Sequence, residues 1–73
     1  MKPTTLAALL DHHMPYARQL AQEHGLGPLQ SRGVEGKPSD PARTAVVTFR
    51  FQYGTITHDS AAGTDYEVRR SNR

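Results

Sequence analysis

The chain has 73 residues, no cysteine and a formal net charge of +2 at pH 7. A chain of this length makes one small domain that buries only about 60% of the surface of its unfolded form, and without Cys no disulfide or thiolate metal cluster reinforces it. The mild charge excludes a histone-like protein. The longest clean apolar run, Leu6–Leu10, is far shorter than the roughly 20 residues of a membrane span, so we expect a soluble protein.

The N-terminal third predicts an amphipathic helix over about 5–24. Thr4 or Thr5 is suited to cap its start, and Gly25 is suited to end it in a left-handed conformation. Pro15 leaves two alternatives, one kinked helix or two helices, and the unbroken apolar phase favours the kink. The face predicted to be buried carries Leu6, Leu9, Leu10, His13, Ala17, Leu20 and His24.

Residues 25–43 hold four of the six glycines and three of the five prolines. This composition is typical of a long, flexible Gly/Pro-rich linker, and we predict a mobile segment over about 25–43. A structureless connection of this length is unusual inside a compact domain. The alternative is therefore a short strand at Leu29–Val34.

Thr44–Tyr53 alternates apolar and polar residues, which predicts a half-buried β-strand. We expect a bulge or bend at Gly54, a continuation at Thr55–His58, a loop at Asp59–Thr64 and a second alternating segment at Asp65–Arg70. The face predicted to be apolar carries Ala45, Val47, Phe49, Phe51 and Tyr53.

These elements predict an α+β fold in one domain, 1–73: a kinked N-terminal helix packed on a small antiparallel β-hairpin or sheet. The hairpin spans about 44–70, and a frayed tail follows at 71–73.

A sheet with so few strands should have a free edge, and the helix should leave apolar side chains at the rims of the sheet. A partner segment that adds to the edge or inserts beside the helix would use both features. Solvent-facing arginines complete the predicted surface. The residues predicted to bind a partner are Leu6, Leu10, Arg50, Phe51, Tyr53, Arg69 and Arg70.

The sequence offers little support for a catalytic site or a metal site. His58, Asp59 and Ser60 are consecutive, and neighbours in sequence cannot converge as a catalytic triad does. The four histidines lack the one-face spacing that zinc ligands favour. We therefore predict no enzyme, no cofactor and no metal.

Nucleic-acid binding is the alternative function. Its carriers would be an Arg-rich β-ribbon and the C-terminal tail, which would contact phosphates in a salt-dependent way. A helix-turn-helix is disfavoured, because Gly27, Pro28 and Gly33 are incompatible with a stable recognition helix.

Three consecutive segments carry a resemblance that spans the whole chain: MKPTTLAALLDHHMPYARQLAQEHG, a Gly/Pro-rich linker, and TAVVTFRFQYG. This order resembles the small RNA-polymerase-binding transcription regulators of Xanthomonas bacteriophages. The resemblance implies a non-enzymatic monomer in the host bacterial cytoplasm. It further implies that the partner is host RNA polymerase, contacted at the N-terminal segment of the β′ subunit near the RNA exit channel. The implied effects are inhibition of initiation, through weaker binding of the σ factor, and antitermination.

Overall fold

A computed structural model describes residues 5–62 and 65–71, which form one N-terminal helix packed on a four-stranded antiparallel sheet. The strands lie in the sheet in chain order, β1-β2-β3-β4. The predicted α+β class is confirmed, with a sheet rather than a lone hairpin. The elements are α1 (Leu6–His24), β1 (Leu29–Glu35), α2 (Pro41–Thr44), β2 (Val46–Phe51), β3 (Gly54–Asp59) and β4 (Glu67–Arg70).

Helix α1 begins after Thr5, whose hydroxyl oxygen accepts a hydrogen bond from the Ala8 N–H at 3.0 Å. Thr5 is therefore the N-cap, and Thr4 lies outside the described residues. The helix passes through Pro15 as one element, which decides for one helix over two.

The C-terminal end of α1 is closed by a Schellman motif. Gly25 adopts φ 67°, a left-handed conformation that glycine reaches without Cβ strain. The Gly25 N–H donates to the Gln22 carbonyl at 3.3 Å, and the Leu26 N–H donates to the Ala21 carbonyl at 2.9 Å. The predicted helix end is confirmed, and Leu26 is turned back into the core.

The predicted uninterrupted linker over 25–43 is wrong. Leu29–Glu35 forms β1, which pairs antiparallel with β2, and Pro41–Thr44 forms a helical turn. The strand at Leu29–Val34 that was the alternative is the one that forms. Backbone hydrogen bonds to β2 stabilise the extended conformation of Leu29–Glu35. The Gly/Pro-rich composition of residues 25–43 gives no sign of this pairing, because the partner strand lies elsewhere in the sequence.

The predicted continuous strand with a bulge at Gly54 is also wrong, because the chain reverses there. Phe51 pairs with Gly54 across a two-residue turn made by Gln52 and Tyr53, and β3 runs back along β2. Neither turn residue has positive φ, so this is not one of the primed turns usual in short hairpins.

The core lies between α1 and one face of the sheet. The predicted apolar face of β2 is buried as expected, except for Tyr53, which lies in the turn and is 40% exposed. Gly63, in the predicted loop, and residues 72–73 of the predicted tail lie outside the described residues. Ser71, the first residue of the predicted tail, donates its N–H to the Tyr53 carbonyl at 2.8 Å. The main core cluster comprises Ala17, Ala21, Leu26, Val47, Phe49, Phe51 and Ile56.

Gly54 should tolerate no side chain, whereas Gly33 should accept one. A Cβ at Gly54 would lie 2.5 Å from the Arg69 carbonyl oxygen and 2.7 Å from Leu26 Cδ2, but a Cβ at Gly33 would meet nothing within 4 Å. We expect Gly54→Ala to lower the free energy of unfolding by about 1–3 kcal/mol, as overpacking does, and Gly33→Ala to change it by less than about 0.5 kcal/mol. Urea denaturation followed by circular dichroism measures both. Equal effects of the two substitutions would contradict this packing.

Candidate functional site

The free edges of the sheet belong to the outer strands. β2 lies between β1 and β3, so both of its edges are paired and the free edge expected from the sequence is not at this strand. Any partner strand must add to β1 or to β4.

The apolar residues predicted to bind a partner lie at opposite ends of α1. Leu6 is half-buried near Gly36, where a Cβ would stand 3.1 Å from Leu6 Cδ2, and Leu10 is half-buried against the core. Phe51 is only 6% exposed, and Tyr53 lies beyond the other end of the helix. A helix of 19 residues spans about 28 Å, so these side chains do not share one groove.

A cleft of about 680 Å³ opens between the C-terminal end of α1 and the start of β1, and we call it the arginine cleft. Ala21, Leu29 and Phe51 give it apolar walls, while Arg18 is the one charged side chain in its lining. Residues 25–28, which connect α1 to β1 and which we call the connector, contribute Gly25, Gly27 and Pro28 to the lining, and none of these has a bulky side chain. The lining residues are Arg18, Ala21, Gln22, Gly25, Gly27, Pro28, Leu29 and Phe51.

Tyr53 borders the arginine cleft because its ring lies against Gly27. A Cβ at Gly27 would stand 3.0 Å from Tyr53 Cδ2, and Gly27 has φ 80°. The turn is fixed by two hydrogen bonds to the connector: the Tyr53 N–H donates to the Leu26 carbonyl at 2.8 Å, and the Gln52 N–H donates to the Pro28 carbonyl at 3.0 Å. The structure thus brings Phe51 and Tyr53 close together, beside the end of α1 and the start of β1.

The predicted arginines lie on two faces of the sheet. Arg50 and Arg69 both stand opposite Thr55, on the face turned away from α1, which we call the polar face. Arg70 stands opposite Gly54 and therefore projects to the other face. All three arginines are exposed, and Arg69 Nε donates to Glu67 Oε1 at 2.9 Å.

A shallow groove of about 350 Å³ follows β1 and β2 and includes the polar face of both strands. Arg50 lies at one end of it and Glu35 at the other, since Ser31 pairs with Arg50 and Glu35 pairs with Val46. Its charge is therefore mixed along its length. The lining residues are Ser31, Arg32, Gly33, Val34, Glu35, Val46, Thr48 and Arg50.

Three ring side chains that sequence reasoning did not group meet where α1 crosses the sheet, and we call them the histidine cluster: His13, His58 and Tyr66. His13 Nδ1 and the Tyr66 hydroxyl are 2.6 Å apart, and the two imidazole centroids are 4.3 Å apart with planes inclined by 30°. His13 is 9% exposed and His58 is 8% exposed. The burial of His13 follows from its helix phase, but the partner Tyr66 is 53 residues away and only the fold shows it.

Burial in the histidine cluster lowers the pKa of His13 from 6.5 to about 4, mainly by desolvation and then by repulsion from His58 and His12. Desolvation also raises the pKa of Tyr66 above its usual value of 10.0, with a smaller contribution from Tyr16. His13 is therefore neutral at pH 7, so one ring nitrogen accepts and the other donates.

The residue types of a nucleophilic triad do not converge in the structure. His58 is buried, its Nδ1 has no hydrogen-bond partner among the described residues, and Asp59 Oδ1 accepts from the Ala61 N–H at 3.0 Å. In residues 5–62 and 65–71, no three His, Cys, Asp or Glu side chains come close enough together to hold a metal ion.

Within the described part of the chain, no helix is both long enough and apolar enough to cross a membrane. No protein-family model, curated protein or solved structure matches this chain. The geometry of the clefts and of the polar face is therefore the structural basis for a proposed mode of binding.

Stability should fall as the pH drops through the range in which an unfolded His13 becomes protonated. The folded pKa of about 4 lies below the unfolded value of 6.5, so the unfolded chain binds the extra proton and His13 contributes stability above pH 6.5 that is lost towards pH 4. Between pH 6.5 and 5 this linkage amounts to up to about 1.5 kcal/mol. Urea denaturation at several pH values measures it.

The substitution His13→Gln removes the titrating group and should flatten the pH dependence of stability in that window. His24→Gln is the matched control, because His24 is exposed at the end of α1 and should leave the slope unchanged. The window stops at pH 5 because carboxylates titrate mainly below it. A wild-type slope equal to that of His13→Gln would contradict a neutral, buried His13.

Proposed function

We propose that the protein is a non-enzymatic phage regulator of transcription that binds host bacterial RNA polymerase, weakens the binding of the σ factor and promotes antitermination. The resemblance of the whole chain to polymerase-binding phage regulators supplies the partner. The arginine cleft supports the mode of binding. In this proposal, the cleft receives a short segment from the N-terminal part of the β′ subunit, near the RNA exit channel.

The arginine cleft carries this proposal because it combines three features of a peptide-binding site. Its walls are apolar, Arg18 lies in its lining, and Tyr53 borders it with a ring that is 40% exposed. Aromatic and arginine side chains are the residue types that dominate binding energy at protein interfaces. A segment with an apolar side chain followed by an acidic one matches this cleft.

β1 extends the same site. It is an outer strand that begins beside the cleft at Leu29, so a partner strand that adds to its free edge keeps one side chain in the cleft. Main-chain hydrogen bonds then supply affinity and the cleft supplies specificity. Gly33 and the charged Arg32 and Glu35 make the edge a weak template for unspecific pairing.

A small protein can displace a σ factor by favouring one of two competing states. Binding that prefers the polymerase without a firmly held σ factor shifts the equilibrium by its differential affinity, and about 1.4 kcal/mol changes the ratio tenfold. No bond is made or broken in the partner. An interface of a few well-buried side chains is enough for an effect of this size.

Co-elution with purified bacterial RNA polymerase tests the proposal. We expect the chain to co-elute with the core enzyme at low salt and to raise the dissociation constant of the σ factor. Arg18→Ala and Tyr53→Ala should each weaken polymerase binding about five- to tenfold, since truncating a central interface side chain costs about 1 kcal/mol or more.

Arg43→Ala is the matched control, because Arg43 is an exposed arginine in α2 that lies outside the arginine cleft. It should change polymerase binding by less than twofold. Absence of co-elution at low salt would refute the proposed partner. Equal effects of Arg18→Ala and Arg43→Ala would refute the proposed cleft.

Nucleic-acid binding is the second candidate, and the common placement of Arg50 and Arg69 on the polar face favours it. Their shared neighbour Thr55 adds a hydroxyl that bonds phosphate oxygens. The aromatic residues of β2 are buried on the opposite face, so base stacking there is not available. This mode of binding contacts the backbone and is weak.

A titration of a 20-nucleotide RNA or DNA at several salt concentrations tests the second candidate. Two phosphate contacts predict a slope of log affinity against log salt of about −2. Arg50→Glu and Arg69→Glu should abolish binding, while Arg70→Glu, on the opposite face, should retain most of it. Affinity that is independent of salt would exclude this function.

A further inference from the structure

A second cleft lies on the other side of α1, and we call it the tyrosine cleft. Its volume is about 250 Å³, and its walls come from α1 and from Tyr66, just before β4. On the helix, Tyr16, Leu20 and Glu23 follow one another at i, i+4 and i+7, which places them on one face. The lining residues are Tyr16, Gln19, Leu20, Glu23 and Tyr66.

The two tyrosine rings of this cleft are stacked, with Tyr16 exposed and Tyr66 half-buried. Their centroids are 6.4 Å apart with planes inclined by 30°, and Tyr16 is 52% exposed. The position of the Tyr66 ring is fixed by the 2.6 Å hydrogen bond between its hydroxyl and His13 Nδ1. One ring is thus fixed by the histidine cluster and the other is carried by the helix.

Glu23 brings a negative charge to the same cleft, and no ion pair within residues 5–62 and 65–71 neutralises it. The ion pairs among the described residues are Arg32–Asp11 and Arg69–Glu67, and Glu23 belongs to neither. It also lies in the last turn of α1, where the helix dipole disfavours a carboxylate. Glu23 is exposed and lies beside two aromatic side chains, so its carboxylate is available to pair with a cation from a partner.

We propose that the tyrosine cleft binds the guanidinium or ammonium group of an arginine or lysine side chain on a partner polypeptide. The π-faces of Tyr16 and Tyr66 attract the cation and the Glu23 carboxylate pairs with it, while Leu20 contacts the aliphatic stem. The site is separate from the arginine cleft and takes the opposite charge. It therefore does not depend on the identity of the partner proposed above.

The test is an NMR titration of the ¹⁵N-labelled full chain with two peptides, acetyl-Gly-Arg-Gly-amide and its citrulline counterpart. Citrulline keeps the shape of arginine without the charge. We expect the arginine peptide to bind with an affinity at least about threefold higher than that of the citrulline peptide. The amide signals that shift most should be those of the cleft lining: Tyr16, Gln19, Leu20, Glu23 and Tyr66. The ring signals of both tyrosines should move with them.

Three variants locate the site. Glu23→Gln and Tyr16→Ala should each reduce the affinity for the arginine peptide at least threefold. Glu35→Gln is the matched control, because Glu35 is an exposed glutamate on β1, and it should leave the affinity unchanged. Circular dichroism verifies that each variant is folded.

Equal shifts from the two peptides would overturn the proposal, because they would show that the charge is not recognised. Loss of affinity in Glu35→Gln as large as in Glu23→Gln would also overturn it. Shifts confined to the arginine cleft or to the polar face would place the cation elsewhere and would refute this assignment.

Discussion

The structure depends on the short connector between α1 and β1, and on Leu26 above all. The Leu26 N–H closes the end of the helix on the Ala21 carbonyl, and the Leu26 carbonyl accepts from the Tyr53 N–H in the β2–β3 turn. Its side chain is fully buried in the core. One residue thus fixes the end of the helix, the turn of the sheet and the packing between them. The arginine cleft exists because Gly25 and Gly27 adopt positive φ, and because Gly27 lets this connector lie against Tyr53.

Patterns among neighbouring residues were enough to predict α1 and the buried face of β2. The position of β1 and the reversal between β2 and β3 depend on pairing between distant segments, which these patterns do not show. The cap at Thr5, the left-handed Gly25 and the alternation of Val47 and Phe49 all depend on neighbours in sequence. β1 is different, because as an outer strand it is mostly exposed and shows no alternation. The reversal at Gln52–Tyr53 escaped notice for a related reason: no Gly or Asn with positive φ marks it, since hydrogen bonds from the connector hold the turn.

The candidate sites follow the same division. Arg50 and Tyr53 were predicted to bind a partner because the alternating pattern of Thr44–Tyr53 is clear. Both side chains are exposed in the structure. The clefts were not predicted, because their walls come from separate elements. Arg18 meets Phe51 only through the fold, and Tyr66 reaches His13 from 53 residues away. The i, i+4, i+7 spacing of Tyr16, Leu20 and Glu23 is visible in the sequence, but only the fold adds Tyr66 to them.

The two clefts beside α1 carry opposite charges, and this asymmetry suits the regulator proposed above, which must be oriented on its partner. Arg18 lines one cleft and Glu23 the other, so a partner surface with an acid and a base at matching positions is accepted in one orientation only. Both clefts expose apolar groups to solvent. The buried, neutral His13 also constrains the position of Tyr66, because it forms a hydrogen bond with the Tyr66 hydroxyl and so links the tyrosine cleft to the core. A partner that binds only the folded chain restores stability in proportion to RT ln(1 + [L]/Kd), so binding and folding of this small domain are linked.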